Sequence, residues 1–452
     1  MYTFIAMAEI KRKYDVVIVG AGVAGLNCAL NLPRDKSALI ICKNSPKESD
    51  SYLAQGGICV LRGDFDFDEY YEDTMRAGHR ENNPAAVKCM LTQSREVIAD
   101  LENCGVKFHK NADGSYDYTR EGGHTSPRIL FHEDCTGREI TSSLMRQVKK
   151  LGNVQIAPRV VMLDIIADGE KCAGIVVYDK AERAVKKIYA DYTVLATGGL
   201  GGAFSDTTNF RTVSGDALAI CLNRGVAVDN INYIQAHPTT LYSKKKGRRF
   251  LISESVRGEG AHLLDKNFNR FTDELQPRDV VKNAVLRQME KDGTDFVWLD
   301  MRPIPAEEIK SHFPAIVKRC SEEGYDVFTQ PIPVVPAIHY FMGGVRSDLD
   351  GRTTLPRLYA VGETCCNGVH GKNRLASNSL LESLLFAKRA AKDIAENYSP
   401  IILIEAEKIP LQMEKYKNAE KLLKQYKRDV KYAVYLADRG EDVNLKFREM
   451  RK

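Results

Sequence analysis

The sequence predicts an α/β fold, in which a Rossmann-like domain is interrupted by an inserted α+β domain and followed by a short C-terminal helical segment. Residues 16–19 form a β-branched apolar run, typical of a buried parallel strand, and a Gly-rich turn and an apolar helical pattern follow directly. Between residues 230 and 336 the motifs change in character, and the first pattern then returns. A chain of 452 residues is long enough for two or three domains with separate cores.

The Gly-rich turn is the first motif with a chemical meaning. A G-x-G-x-x-G between strand and helix allows a tight turn, a close approach of the backbone to a pyrophosphate, and its placement at a helix N-terminus. In this strand–turn–helix context the motif predicts dinucleotide binding. The predicted contacts are Gly20, Ala21, Gly22, Val23, Ala24 and Gly25.

Composition excludes several classes of protein. Apolar residues make up 44% and charged residues 28% of the chain, as in globular proteins, and no apolar run is as long as a membrane span. The net charge of +5 is modest and does not indicate nucleic-acid binding. The first residues lack the order of a secretory signal, so we expect a cytoplasmic protein. Eleven cysteines occur without a C-x-x-C pair, which favours reduced thiols and no metal site.

Strand and helix patterns alternate through the first half of the chain. Asp216 precedes an apolar helical pattern over 217–222 and is predicted to cap that helix. The four segments between residues 154 and 189 are predicted to be antiparallel. Predicted strands are 37–42, 154–156, 160–166, 172–178, 184–189, 192–195 and 358–361, and predicted helices are 65–104, 139–150 and 381–396.

The domain boundaries follow from these patterns. Residues 1–229 and 337–397 are predicted to form the two parts of the nucleotide-binding domain. Residues 230–336 are predicted to form the inserted domain, which caps the first, and residues 398–452 the C-terminal helical segment.

Two arginines and two histidines stand in motifs of the insert and of the returning strand. Guanidinium groups hold carboxylates in bidentate geometry and stay charged at any working pH. Two such groups with two imidazoles therefore suit a small dianion with a carboxylate at each end. These residues are His237, Arg278, His339 and Arg374.

The order of motifs resembles that of the flavoprotein family of succinate dehydrogenases, fumarate reductases and L-aspartate oxidases, most closely the last. The resemblance covers residues 14–397 and rests on about eight ordered motifs. It implies FAD as the cofactor, which explains Lys43 where a nicotinamide domain would have an acidic residue. The further cofactor contacts it implies are Lys43, Asp50, Ser51, Tyr52, Leu53, Ala54, Gln55, Gly56, Gly57, Asp216, Glu363, Ser379 and Leu380.

The resemblance also implies roles at the substrate. Arg278 matches the arginine that moves the proton, with Glu254 as relay, while hydride passes between the substrate carbon and flavin N5. Glu121 matches the glutamate that orients the α-amino group in the L-aspartate oxidases. The residues implied to hold the dicarboxylate are Gln235, His237, Ser253 (where threonine is usual), His339 and Arg374.

Two departures from the family pattern matter. Asp50 stands where the membrane-bound relatives attach FAD through a histidine, so the flavin is expected to be non-covalent. The C-terminal segment is shorter than is usual in the family.

The implied activity is oxidation of L-aspartate to iminoaspartate, the first step of NAD synthesis through quinolinate, with O2 or fumarate as acceptor. Expected partners are L-aspartate and other C4 dicarboxylates, with hand-off of product to quinolinate synthase, and neither nucleic acid nor membrane. Three alternatives stay open: a soluble fumarate reductase, an electron-transfer subunit of a membrane complex, and a flavin-binding protein without catalysis.

Overall fold

The structure, a computed structural model, describes residues 9–245 and 247–451. The prediction about a secretory signal refers to residues 1–13, of which the first eight lie outside this range. The strands are β1 (Lys13–Val19), β2 (Ala38–Cys42), β3 (Gly57–Cys59), β4 (Ile129–Phe131), β5 (Val154–Pro158), β6 (Val160–Ala167), β7 (Cys172–Asp179), β8 (Ala184–Leu195), β9 (Val228–Asp229), β10 (Ile234–Leu241), β11 (Phe250–Leu251), β12 (His262–Leu264), β13 (Val297–Asp300), β14 (Ile332–Phe341), β15 (Gly344–Arg346), β16 (Leu358–Ala360) and β17 (Cys365–Cys366). The helices are α1 (Val23–Asn31), α2 (Asp50–Leu53), α3 (Phe67–Ala77), α4 (Pro84–Thr92), α5 (Ser94–Asn103), α6 (Thr136–Val148), α7 (Asp216–Arg224), α8 (Glu254–Gly258), α9 (Arg278–Asp292), α10 (Ala306–His312), α11 (Pro314–Glu322), α12 (Asn378–Glu396), α13 (Leu403–Glu407), α14 (Ala419–Asp438) and α15 (Val443–Met450).

The largest sheet has seven strands in the order β5-β2-β1-β8-β7-β6, and β16 pairs with the last residues of β8 on the side opposite β1. Strand β1 lies parallel to β2 and β8, and β16 lies parallel to β8. The predicted Rossmann-like α/β sheet is therefore confirmed. Its central strands are buried on both faces, because helices α1 and α12 cover one side and α7 the other.

One predicted strand direction is wrong. β5 pairs in parallel with β2, whereas β6, β7 and the first half of β8 form the antiparallel part. The reason is that helix α6, which directly precedes β5, returns the chain to the β2 edge of the large sheet. A helical crossover of this kind places the next strand parallel to its neighbour. The segments predicted at 184–189 and 192–195 are one continuous strand, β8.

The second sheet is antiparallel, with strands in the order β11-β10-β14-β13-β12. It packs on α9 over a separate apolar core that includes Val256, Val281 and Ile332. Its longest strand, Ile332–Phe341, crosses the predicted boundary between residues 336 and 337. This strand carries His339 from the sheet of the inserted domain toward the Rossmann-like sheet.

The remaining helices support these two sheets. The predicted helical stretch 65–104 consists of α3, α4 and α5, and the C-terminal helix α14 packs on α7 through the buried Tyr426 and Val430. Over residues 9–245 and 247–451, no helix combines the length and apolar character that crossing a membrane requires.

Candidate active site

A large cavity lies between the carboxyl ends of β1, β2 and β8 and the inner face of the cap. It is lined by most of the predicted site residues, from both sheets. Those on its wall are Gly20, Ala21, Gly22, Ala24, Lys43, Asp50, Ser51, Leu53, Ala54, Gln55, Gly56, Gly57, Glu121, Asp216, His237, Ser253, Glu254, Arg278, His339, Glu363, Arg374, Ser379 and Leu380. The predicted contacts that do not line the cavity are Val23, Gly25, Tyr52 and Gln235.

The Gly-rich turn allows the sheet and the first helix to approach closely. Gly20 has φ +123°, and a Cβ there would lie 2.0 Å from the carbonyl oxygen of Ala196 on the strand next to it. A Cβ at Gly25 would lie 2.0 Å from the carbonyl oxygen of Gly20. Gly25 is therefore a packing residue. The turn leaves the N-terminus of α1 open to the cavity, where a pyrophosphate is favoured.

Lys43 and Asp216 form an ion pair at one end of the cavity, with Nζ and Oδ2 2.6 Å apart. The ammonium also donates to the carbonyl oxygen of Thr212, at 2.6 Å. Asp216 accepts a hydrogen bond from Ser214 and is the first residue of α7. Its predicted role as the cap of that helix is wrong, because Gly215 occupies the N-cap and the Asp216 carboxylate turns to Lys43.

Asp50 lies at the N-terminus of α2 with its carboxylate buried against a loop. It accepts hydrogen bonds from the backbone N–H of Phe210 at 2.9 Å and from Nδ2 of Asn209 at 2.8 Å. Burial raises the pKa of Asp50 to about 6, although both hydrogen bonds oppose the shift.

Glu363 is a second carboxyl group on the cavity wall. Its Oε1 accepts the backbone N–H of Phe341 at 2.9 Å, and a Cβ at Gly199 would lie 2.3 Å from the same oxygen. Burial, with a smaller contribution from Asp50, raises the pKa of Glu363 to about 8. The protonated form of Glu363 is therefore favoured at neutral pH.

Arg278 and Glu254 are paired at the base of the cap. Nε of Arg278 donates to Oε2 of Glu254, and Nη1 donates to Oε1 of Gln235 at 2.9 Å. Arg257 lies on the other side of Glu254, 3.2 Å from Oε1. Although burial opposes it, the guanidinium groups of Arg278 and Arg257 hold the pKa of Glu254 below its usual range. Gln235 thus accepts a hydrogen bond from Arg278, although it does not itself line the cavity.

Glu121 is buried and its two oxygens are held by hydroxyl groups. Ser255 Oγ donates to Oε1 at 3.0 Å, and Ser377 Oγ donates to Oε2. Burial first, and the like charge of Glu254 second, raise the pKa of Glu121. An ammonium group in the cavity would relieve both effects.

His237 and Arg374 each present a buried polar atom without a partner, and His339 lies beside them with its Nδ1 2.8 Å from the hydroxyl oxygen of Thr208. Nε2 of His237 and Nε of Arg374 are buried, and neither has a hydrogen-bond partner among the described residues. The two imidazole rings lie 5.2 Å apart, and burial together with the nearby arginines lowers both histidine pKa values. Buried, unpaired donors on a cavity wall are suited to an anionic ligand.

The sequence analysis missed several residues in and beside the wall. Tyr340 lies under Arg374, whose guanidinium carbon is 4.1 Å from the ring centroid, and Ser255 and Ser377 hold Glu121. Arg248 also lines the cavity and donates to the carbonyl oxygen of Thr208 at 3.2 Å. Tyr340 and Ser255 each directly follow a predicted site residue, His339 and Glu254, and this adjacency was their sequence signal.

Comparison with known proteins agrees with this geometry. The family model described as FAD binding domain matches residues 15–380. L-aspartate oxidase from Clostridium perfringens is 43% identical over 408 residues, which are 90% of this chain and 92% of that protein. The chain belongs to the L-aspartate oxidase family. L-aspartate oxidase from Nostoc is 41% identical over 90% of this chain but 71% of its own length, so members of the family differ in length.

Among solved structures, the FrdA chain of quinol fumarate reductase from Escherichia coli has a TM-score of 0.80 and 28% identity. The match covers 94% of this chain and 74% of that chain. Mycobacterium smegmatis Sdh1 has a TM-score of 0.73 and 30% identity, over 88% of this chain and 71% of that chain. This chain thus shares its fold with the FrdA chain of quinol fumarate reductase and with Sdh1.

FAD is the cofactor, and the cavity fits it. The glycine turn, the N-terminus of α1 and the glycine pair at residues 56 and 57 all lie on its wall, and a helix N-terminus favours a pyrophosphate. A Cβ at Gly56 would lie 2.5 Å from Oε1 of Glu121, so a glycine is needed for this loop to pack against that carboxylate. The polar groups near each end, Lys43 and Arg374, lie on the same continuous wall.

Proposed function

We propose that this protein oxidises L-aspartate to iminoaspartate, with the flavin accepting two electrons and the cap residues holding the substrate. The observation that carries the proposal is the position of Glu121, a buried carboxylate on the same wall as Arg278, His237, His339 and Arg374. The two guanidinium groups, with the imidazoles as hydrogen-bonding groups, suit the two carboxylates of a C4 acid, and Glu121 suits an α-ammonium group.

The residues divide the reaction between them. Oxidation removes a hydride from the α-carbon and a proton from the nitrogen, and leaves a C=N bond. When FAD is bound, it takes up the hydride. Arg374, His237, His339 and Ser253 would hold the carboxylates, and Glu121 would orient the nitrogen.

Arg278 would move the proton. Its pairing with Glu254 gives that proton a route away from the cavity. The pairing with Gln235 fixes the guanidinium in the orientation that such a transfer requires.

A soluble fumarate reductase is the second candidate, because the carboxylate-binding cations and the fold would serve fumarate equally. Glu121 disfavours it, since fumarate has no ammonium group. We further propose O2 or fumarate as the electron acceptor, a cytoplasmic location and transfer of iminoaspartate to quinolinate synthase.

Anaerobic reduction tests the proposal. The purified yellow protein is mixed with L-aspartate and, separately, with succinate. Rapid bleaching of the flavin by L-aspartate, with slow or no bleaching by succinate, is expected. Faster bleaching by succinate would overturn the proposal and favour the second candidate.

A further inference from the structure

Two histidines meet where the cap touches the FAD-binding domain, next to the cavity described above but not on its wall. His109 and Asp117 face each other across a hairpin, because the backbone N–H of Asp117 donates to the carbonyl oxygen of His109 at 3.3 Å. His312 is the last residue of α10 in the cap, and its ring centroid lies 5.9 Å from that of His109.

The three side chains have metal-ligand chemistry and spacing. One ligand atom from each of His109, Asp117 and His312 lies within 4.8 Å of the others. Nε2 of His109 and Oδ2 of Asp117 are 4.0 Å apart. Ligands bound tetrahedrally at about 2.0–2.2 Å from Zn²⁺ lie roughly 3.4 Å from one another. Small side-chain rotations therefore suffice to close the site.

The surroundings orient the histidine of the cap. Oε2 of Glu259 lies 2.9 Å from Nδ1 of His312, which leaves Nε2 for a metal. A carboxylate on the second nitrogen of a ligating histidine fixes the ring and raises its basicity. Phe131 packs against both rings, with centroid distances of 5.2 Å to His109 and 5.5 Å to His312.

We propose that His109, Asp117 and His312 bind a divalent transition metal, with Zn²⁺ the best fit, and that Glu259 orients His312. The site is accessible, since 42% of the His109 side chain and 34% of the Asp117 side chain are exposed. Two imidazoles and one carboxylate are ligands typical of Zn²⁺.

Such a metal would connect the two domains beside the substrate site. His312 and Glu259 line a small cavity together with Gln55 and Ser253, and the last two also lie on the wall of the large cavity. A bound metal would hold the cap against the FAD-binding domain. Turnover that requires the cap to open would become slower.

Calorimetric titration of the FAD-loaded protein with ZnCl2 tests the site. Wild type is expected to bind one Zn²⁺ per chain, and H109N and H312N to bind at least about tenfold more weakly. H132N is the matched control, because His132, Glu133 and Cys135 form the other cluster of this kind among the described residues. Equal affinity in wild type, H109N and H312N, or loss of binding in H132N alone, would overturn the proposal.

Two further measurements separate a ligand role from a general loss of structure. E259Q should weaken Zn²⁺ binding by about 10–100-fold while the flavin spectrum stays unchanged, because removing the carboxylate that holds the second nitrogen of a ligating histidine has effects of this size. Co²⁺ added to wild type should give tetrahedral d–d bands beyond the flavin absorption, and H312N should not. Octahedral Co²⁺ spectra in both proteins would contradict the site.

Discussion

Nε of Arg278 donates to Oε2 of Glu254 in an ion pair whose side chains are 6% and 1% exposed. This pair joins the first residue of α9 to the first residue of α8 at the cavity wall. An arginine held in this way has a fixed orientation and a carboxylate to which a proton can pass.

Replacing Arg278 by leucine should abolish most of the turnover. General acid–base transfer contributes about 10²–10⁴-fold, and one cation that faces the dianion is lost as well. We expect kcat of R278L to fall by at least that factor while the protein still binds FAD, as judged from its visible spectrum. The measurement is steady-state oxidation of L-aspartate.

The control for R278L is R287L, on the same helix with an exposed side chain. R287L should keep wild-type turnover. Near-normal turnover in a correctly folded R278L protein would show that another residue transfers the proton, and Glu254 would be tested next.

The flavin should be released by acid. Asp50 stands where the family resemblance would place a histidine in proteins with covalent FAD, and its carboxylate accepts hydrogen bonds from Phe210 and Asn209. After precipitation with acid, the yellow colour is expected in the supernatant. Flavin retained in the protein pellet would contradict the non-covalent assignment.

Tyr340 should act by positioning Arg374. A guanidinium over an aromatic face contributes about 0.5–2 kcal/mol, so Y340L should raise the KM for L-aspartate by roughly 2- to 30-fold. Y340F keeps the ring and should restore the wild-type KM, which separates the stacking from the hydroxyl contact with His370. Equal effects of Y340L and Y340F would assign the role to the hydroxyl group.

Glu363 should make stability depend on pH. Its pKa is about 8 in the folded protein and near its ordinary value of 4.5 in the unfolded chain. Between these values the folded state binds a proton that the unfolded state has released, so stability falls as pH rises through this window. The slope from one such group is up to about 1.4 kcal/mol per pH unit.

The measurement compares the unfolding free energies of wild type and E363Q, in FAD-loaded protein at pH 5.5 and pH 8.5. The glutamine can still accept the backbone N–H of Phe341 but cannot titrate. Wild type should lose stability relative to E363Q at the higher pH. A difference between the two proteins that does not change with pH would show that burial of Glu363 does not shift its pKa.

Much of the fold could be predicted because its signals are local. The apolar run at residues 16–19, the glycine turn after it and the later strand patterns each depend on neighbouring residues, and the α/β sheet agrees with them. The direction of β5 was predicted wrongly because it depends on how α6 crosses the sheet. A short apolar strand has the same pattern in either direction.

The partners of the site residues could not be predicted from local sequence. Asp216 is of a residue type that commonly caps helices, but its carboxylate forms an ion pair with Lys43, which lies far away in the sequence. Glu121 is held by Ser255 and Ser377, which follow it by 134 and 256 positions. The family resemblance supplied candidate roles for motifs, and these roles remain predictions until variants are measured.

The central claim is that Glu121 binds the α-ammonium group of the substrate. Both of its oxygens accept from serine hydroxyls, and a glutamine can be accommodated because a hydroxyl can also accept. Hydrogen bonds to charged groups contribute about 1.5–3 kcal/mol, so E121Q should lower kcat/KM for L-aspartate by roughly ten- to a hundredfold.

The decisive measurement is the ratio of kcat/KM for L-aspartate oxidation to kcat/KM for fumarate reduction, with a reduced dye as donor in the second reaction. It is determined for wild type, E121Q and E363Q; the last also replaces a buried carboxyl group on the wall of the same cavity. We predict that the ratio falls by roughly ten- to a hundredfold in E121Q, because fumarate has no ammonium group, and stays near the wild-type value in E363Q. An unchanged ratio in E121Q would contradict amine recognition by Glu121 and favour a soluble fumarate reductase.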